Sequence, residues 1–357
     1  MSLESLESVA LPLELDEFDE IIDVRTPLEF EVDHLPGALN LPVLDNEQRV
    51  EVGTLYRTAP FQARRLGAAY ISAAIARFLE GELAGRAHDW SPLLYCWRGG
   101  LRSRSLATVL RSVGWRARVL EGGYKSWRRF VMVDLARLLD RSRLPLHVIA
   151  GLTGTGKTRL LEALRNAGAQ VLDLEDLANH RGSLLGSLGD QPSQKRFESR
   201  LHATLVAFDP ARPVFCEAES NRIGSVYLPS PLWARLGEAR VVELTLPLSD
   251  RVTLLLEDYD HFPRAPDSLA ALLDRLRPLR GHAQVDSWLA QVAEAAWPEF
   301  VSSILKHHYD LCYRRPGSPE AVYQAPSERL EIPDASPESF RAAAAQLLTA
   351  SASAPMS

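Results

Sequence analysis

Over roughly the first 137 positions the chain alternates between two hydrophobic periods. Short apolar runs that end in polar residues, "EIIDVR", "HLPGALNLPV", "SPLLYC" and "RARVLEGG", predict strands. Between them, "SRSLATVLRSVGW", closing at Gly114, and "YKSWRRFVMVDLARLLD" space their apolar residues as helices do. An Ala-rich helical pattern, "RTAPFQARRLGAAYISAAIARFLEGE", lies among them. Strands alternating with helices predict an α/β fold with a parallel sheet and helices on both faces. After "RSRLPLH" the pattern restarts, with "LHVIA" as a buried strand, "GLTGTGKT" as a loop and "RLLEALRNAG" as a helix closed by Gly168. Further strands are predicted in "QVLDLEDLA", "RPVFCEAES" and "ARVVELTLP". From about Asp250 to Arg315 the pattern is helical, and the final "TASASAPMS" is expected to be disordered.

Two loops carry candidate chemistry. "GLTGTGKT" fits G-x-x-x-x-G-K-[ST] in full, from Gly151 through Leu152, Thr153, Gly154, Thr155 and Gly156 to Lys157 and Thr158. Its glycines let backbone N–H groups converge on a phosphate, Lys157 adds a point charge, and the Thr158 hydroxyl suits Mg²⁺, a candidate ion here. The strand before it and the helix after it are the context such a loop needs, so the second half reads as a P-loop NTPase-like α/β domain with a helical C-terminal region. No N-K-x-D accompanies it, which argues against a guanine-specific GTPase. Asp173, Glu217 and Glu219, at strand ends, are candidate acids for the ion or for positioning water. Each equally suits a helix cap or a pairing with an arginine such as Arg222.

The second loop is "YCWRGGLRSRS". Cys96 is followed by Trp97, Arg98, Gly99, Gly100, Leu101 and Arg102, and then by a helix. Cationic side chains, freed loop N–H groups and a helix N-terminus favour a thiolate, or a persulfide or selenide carried on it. Cys216 and Cys312 read instead as inert buried thiols.

Composition bounds these readings without changing them. The 357 residues suffice for two domains, and 24% charged residues is ordinary for a globular protein. The acidic start lacks the basic and apolar regions of a signal peptide, and no apolar run reaches membrane-spanning length. Three scattered cysteines without a C-x-x-C pair argue against a dedicated metal site or a disulfide framework, and for a cytoplasmic setting. The net charge is −6, yet residues 98–129 hold nine basic residues (Arg98, Arg102, Arg104, Arg111, Arg116, Arg118, Lys125, Arg128, Arg129) against one acid, Glu121. The run suits either an anionic partner or a solvated helical face. Arg275, Arg277 and Arg280 form a second basic cluster.

"DVRTPLEFEVDHLPGALNLPV", "YCWRGGLRSRS" and "GWRARVLEGGYKSW" resemble the opening, active-site and closing signatures of rhodanese domains, in order, with a helical insertion near residues 48–86. A rhodanese-like domain followed by a P-loop resembles the bacterial tRNA 2-selenouridine synthase family more specifically. "EVGTLYR", "LDLEDLANHRGSLLG", "QPSQKRFESRL", "EAESNRIG" and "HHYDLCY" fall where that family has its blocks, and the resemblance covers about residues 15–315. Trp97 stands where the family more often has Phe. The organisation expected is an acidic segment over 1–14, a rhodanese domain over 15–137, a P-loop domain over 138–249, a helical region over 250–315 and a tail over 316–357.

The resemblance implies replacement of sulfur by selenium in wobble 2-thiouridine of tRNA. It implies selenophosphate and geranyl diphosphate as co-substrates and an S-geranyl intermediate. The phosphate loop would then hold the diphosphate and Cys96 would carry selenium. The basic clusters would grip tRNA, the apolar C-terminal helices are candidates to line a geranyl pocket, and an enzyme supplying selenophosphate is an expected partner. A monomer is expected rather than an obligate oligomer. Two alternatives stay open on the residues alone. One is a rhodanese-type sulfurtransferase fused to an ATP-dependent P-loop kinase for a small molecule; the other is a redox- or phosphate-sensing binding module.

Overall fold

Five strands, β1 (Ser8–Val9), β2 (Glu20–Asp23), β3 (Leu39–Asn40), β4 (Pro92–Tyr95) and β5 (Arg118–Leu120), form an all-parallel sheet in the order β1-β5-β4-β2-β3. In this computed structural model, which describes residues 8–139, 144–180, 189–258, 266–313 and 323–353, the sheet belongs to the first of two units. All four residues of β4 are buried, as in a parallel strand covered on both faces. Helices α1 (Pro27–Val32), α2 (Asn46–Thr58), α3 (Pro60–Glu80), α4 (Leu101–Val113) and α5 (Gly123–Leu138) complete it. Two of them begin with reciprocal capping boxes, Thr26 with Glu29 and Asp45 with Gln48, which satisfy amides the helix start leaves open. Ile22, Val24, Phe78, Leu94, Leu106 and Leu110 pack its core.

The insertion is the helical hairpin α2–α3. Small residues set its spacing, for a Cβ at Gly67 would lie 3.3 Å from the side chain of Val52. Phe78, Ile75 and Ile71 anchor α3 in the core of the sheet.

The second unit is built on β6 (Leu146–Ala150), β7 (Gln170–Leu172), β8 (Val214–Glu217), β11 (Arg240–Thr245) and β12 (Glu328–Glu331), all parallel in the order β12-β11-β6-β8-β7. A small antiparallel pair, β9 (Arg222–Ile223) and β10 (Val226–Tyr227), stands apart. The second unit's helices begin with α6 (Lys157–Asn166), α7 (Leu174–Ala178), α9 (Ser230–Glu238) and α10 (Leu248–Asp258), while α8 (Gln194–Val206) belongs for most of its length to the first unit. They continue with α11 (Pro266–Asp274), α12 (Arg277–Arg280), α13 (His282–Ala293) and α14 (Trp297–Ile304). A π-helical turn (Leu305–Tyr309) and α15 (Asp310–Cys312) follow, with α16 (Pro337–Ser353) last. The chain leaves β6 towards β8 and β7 on one side and returns to β11 and β12 on the other. That places the loop after β6 at the switch point, where open parallel sheets bind ligands.

Three expectations change. The tail expected over 316–357 contains β12, which extends the sheet beside β11, and α16, whose Phe340, Ala344 and Leu347 enter the core. Only Leu330 is buried in β12 and α16 is Ala-rich, so neither gives a strong periodic signal. The expected terminal disorder gives way to α16 as far as Ser353; residues 354–357 lie outside the described residues, as do 1–7 of the acidic segment and 181–186 of the "LDLEDLANHRGSLLG" block. Finally, Pro192–Ala203, expected with the P-loop domain, clusters with the first unit. There Ser199 Oγ donates to the buried Asp33 (3.0 Å) and His202 Nε2 meets Asp134 (3.0 Å). A buried carboxylate is costly without donors, and this segment supplies them.

Phe340→Ala is expected to lower the stability of the second unit by about 3 kcal/mol, the range for a buried phenylalanine left as a cavity; urea unfolding of parent and variant measures it. In the same unit, burial and then the Arg240 charge push His147 of β6 down to about 4. The unfolded chain therefore takes up this proton first, and stability is full above about pH 6.5 and falls progressively towards pH 4. With the ring partly exposed, about 1–2 kcal/mol is expected from this group. Denaturation midpoints from pH 7 to pH 4 should fall less steeply in His147→Phe.

Candidate functional site

Cys96 leaves the buried strand β4 and is itself 3% exposed. Its sulfur accepts from the Gly100 N–H (3.2 Å) and the Ser103 hydroxyl (3.3 Å), both at the start of α4. Gly100 is the N-cap of α4 and offers no side chain to its amides. The inward donors exist because the loop carbonyls point elsewhere. Cys96 O accepts from Tyr124 N (2.9 Å) and Trp97 O from Lys125 N (3.0 Å), two amides of the first turn of α5. That approach requires glycine: at Gly123 (φ +58°) a Cβ would lie 2.2 Å from Cys96 O and 2.5 Å from Gly99 N. The geometry suits a sulfur anion or a group carried on the sulfur.

A buried polar network supports the loop. Arg25 bridges Asp23 through Nε (3.0 Å) and Nη2 (2.6 Å), donates to Asp33 O (2.6 Å), and lies 4.0 Å from the centre of the Tyr124 ring. Tyr124 OH donates to Asp33 Oδ2 (2.8 Å), and the Trp97 ring packs on Tyr124. Burial holds the Asp33 carboxyl above its ordinary range despite the Tyr124 and Ser199 hydroxyls, and its Oδ1 has no partner among the described residues. Asp23, Arg25, Asp33 and Ser103 were not singled out as site residues by sequence reasoning, although all four lie inside the quoted signatures.

In the second unit the loop from Gly151 to Thr158 connects β6 to α6. Gly154 and Gly156 both have φ +80°, and a Cβ at Gly156 would lie 2.3 Å from the Phe340 ring. Lys157 Nζ donates to Gly151 O (3.0 Å) and Thr155 Oγ1 to Leu152 O (2.9 Å), while Thr158 is exposed. The "HHYDLCY" block buttresses this loop. Tyr313 OH accepts from Gly151 N (2.8 Å), and Asp310 accepts from both terminal nitrogens of the buried Arg251 (2.6 and 3.1 Å). Arg251 Nε donates in turn to Thr153 O (2.9 Å). Nothing in the sequence marks Arg251.

The three acids have different surroundings. Asp173 caps α7 through Asp176 N (2.9 Å) and pairs with Arg165 (3.2 Å). Glu217 is 3% exposed; its Oε1 accepts from Glu175 N (2.8 Å), and its Oε2 is buried with no partner among the described residues. Burial first, then the charges of Asp173, Glu175 and Glu219, push the Glu217 carboxyl well above its ordinary range. Glu219 is buried nearby, its carbonyl accepting from Tyr323 OH. Among the described residues no three His, Cys, Asp or Glu side chains cluster as a metal site. Thr158 leaves its hydroxyl exposed, and an ion there would be held mostly by phosphate oxygens and water.

Several basic side chains are engaged in the fold. Arg102 pairs with Glu29 (2.8 Å), Arg111 donates to Ala117 O (2.7 Å), Arg118 lies over Phe18, and Arg128 pairs with Glu198. Arg277 bridges Asp274 and Asp286, and Arg280 donates to His308. Arg98, Arg104, Arg116, Lys125, Arg129 and Arg275 are exposed. The helices α11, α13 and α14 turn Leu269, Trp288, Phe300 and Ile304 into a core of their own. Cys216 is buried and its thiol pushed up by burial, whereas Cys312, expected to be buried, is exposed at the end of α15 and accepts from Arg280 (2.8 Å). Its short helix has no buried residue, so the cysteine stays at the surface.

Gly123→Ala is expected to destabilise the first unit by about 2–4 kcal/mol, the strain of a side chain at positive φ added to the clash. It should also change the rate at which Cys96 is alkylated. Thermal unfolding with iodoacetamide labelling checks both, and an unchanged pair of values would mean that the loop yields without cost.

A family model described as the tRNA 2-selenouridine synthase AAA domain matches residues 144–266, and a rhodanese-like domain model matches residues 5–130. The tRNA 2-selenouridine synthase of Nitrosomonas europaea is 38% identical over 245 residues, which are 67% of this chain and 63% of that protein. That of Nitrosomonas eutropha is 34% identical over 301 residues, covering 80% of this chain and 74% of that protein. That of Alcanivorax borkumensis is 33% identical over 331 residues, covering 82% and 88%. The match thus spans somewhat less than two thirds of the first relative and more of the other two. No described helix is long and apolar enough to cross a membrane. With a rhodanese-like unit and a P-loop unit in one polypeptide, the chain belongs to the tRNA 2-selenouridine synthase family of tRNA-modifying enzymes.

Proposed function

We propose that this chain replaces the sulfur of wobble 2-thiouridine in tRNA with selenium, through an S-geranyl intermediate. The observation that carries the reading is a sulfur, Cys96, held by two inward-pointing donors in a chain that also has a complete phosphate loop. Sulfur on C2 is a poor leaving group as the thiocarbonyl, and alkylation makes it a better one. In the alkylation, the sulfur of 2-thiouridine attacks C1 of geranyl diphosphate, the C–O bond breaks, and diphosphate leaves with the electron pair. The loop amides after Gly151, whose own amide is held by Tyr313, and the Lys157 ammonium take up the charge that develops on it. Mg²⁺, held by Thr158 and one carboxylate such as Glu217, would neutralise part of the same charge. In the exchange the selenium of selenophosphate bonds to C2, the C–S bond breaks and geranylthiolate leaves with its electron pair. Water then takes the phosphoryl group off selenium as phosphate. Cys96, in its donor-lined loop, is the residue that directs the selenium to C2. The exposed Arg98, Arg104, Lys125 and Arg129 hold the tRNA backbone near the reactive loop, with Arg116, at the opposite end of β4, and Arg275 as further contacts.

Mass spectrometry of 2-thiouridine tRNA, treated with geranyl diphosphate and then selenophosphate, tests the reading. The parent protein should give the geranyl adduct and then selenouridine, Cys96→Ser only the adduct, and Lys157→Ala an adduct formed about 100-fold more slowly. Unchanged tRNA under every condition, with ATP hydrolysis that needs no tRNA, would favour the sulfur-transferring kinase instead.

A further inference from the structure

The helical insertion has a consequence beyond its own packing. An open groove of about 490 Å³ lies among α2, α3 and the first turns of α4. Its surface is mostly apolar, with Val52, Tyr56, Ala68 and Ile71 from the hairpin and Leu101 from α4. Leu101, the first residue of α4, is 63% exposed and lines the groove together with Tyr56, itself 52% exposed, so the apolar surface is shared between the hairpin and the start of α4. The groove therefore begins at the helical turn whose Gly100 amide and Ser103 hydroxyl reach the Cys96 sulfur. Three guanidinium groups share its lining: Arg49, Arg64, which lies 6.0 Å from the Tyr56 ring centre, and Arg102.

We propose that this groove holds the geranyl chain of the S-geranyl-2-thiouridine nucleotide while its C2 is presented to Cys96. The proposal rests on the function proposed above and adds to it the subsite that recognises the intermediate. At roughly 30 Å³ per heavy atom, the share of a water molecule, a ten-carbon chain needs roughly 300 Å³ and fits with room to bend. The exposed Arg49 and Arg64 suit the phosphates that flank the modified nucleotide, while Arg102 is held by Glu29, so one ligand matches both the apolar floor and the charge. Gly67 of α3, where a Cβ would lie 3.3 Å from Val52 of α2, lets the two helices approach and sets the height of the apolar wall. Free geranyl diphosphate is matched instead by the phosphate loop of the other unit.

The test compares binding of an anticodon stem-loop carrying 2-thiouridine with the same stem-loop carrying its S-geranyl form. Proteins are the full chain, Ala68→Trp, which fills the groove from an exposed position, and Ala69→Trp, an exposed neighbour outside the lining. The parent and Ala69→Trp should prefer the geranylated form by about tenfold or more, from apolar burial. Ala68→Trp should bring the preference to within about twofold while leaving the affinity for the plain stem-loop unchanged. An equal preference in Ala68→Trp and parent, or none in the parent, overturns the groove. A changed sedimentation coefficient in Ala68→Trp with the preference intact would also overturn it, and would assign the surface to a second copy of the chain. Selenouridine formation from the geranylated stem-loop and selenophosphate separates the two readings. None from the parent would sink the proposed function itself, whereas equal turnover and KM in parent and Ala68→Trp would sink only the groove.

Discussion

The first turn of α5 lies against the Cys96 loop closely enough for Tyr124 and Lys125 to donate their amides to the loop carbonyls of Cys96 and Trp97. Most of the chemistry described above follows from that contact. Helix starts leave amides without partners, and here the loop supplies the acceptors. With its carbonyls committed, the loop turns the Gly100 amide and the Ser103 hydroxyl towards the sulfur. The contact has no room for a Cβ at Gly123, and its geometry needs the left-handed backbone at Gly99 (φ +62°) as well. Two glycines distant in sequence thus define one site together.

The Asp23–Arg25–Asp33 network plays the corresponding part from below. Buried charges are costly unless paired and hydrogen-bonded, and each member here has several partners. Arg25 ties β2 to Asp33 and to the face of Tyr124, while Tyr124 carries the loop contact. Pro192–Ala203 completes the arrangement by bringing Ser199 to Asp33. A polar network of this kind fixes one conformation more than it adds stability, which suits a site where a sulfur must be aimed.

The phosphate loop has a different support. Its glycines make the curl, and its contacts come from far along the chain: Arg251 to Thr153, Asp310 to Arg251, Tyr313 to Gly151, and Phe340 beneath Gly156. The charged pair is largely buried and bidentate, the geometry in which an arginine positions backbone most firmly.

Much of the α/β architecture was legible in the sequence, because apolar runs of four to six residues and helices with Gly stops are local signals. Cys96 and Gly151–Thr158 were legible as candidate sites for the same reason: each motif is contiguous, and its spacing sets the local geometry that the loop then adopts. β12 and α16 were not, since a strand with one buried residue and an Ala-rich helix carry little pattern until the sheet edge and the α6 face are there to receive them. Nor could charge counting separate Arg102 and Arg128, held by Glu29 and Glu198, from the exposed Arg98 and Lys125. Asp173 read from sequence as a candidate acid or a cap, and only the coordinates place it on α7 and Arg165, with Glu217 buried and its own Oε2 bare among the described residues. Sequence determined which groups this protein brings to its chemistry, because those groups are encoded side by side. Tertiary structure decided which of them are committed to the fold, because burial and pairing depend on residues far along the chain, as with Arg102 and Glu29 or Arg128 and Glu198.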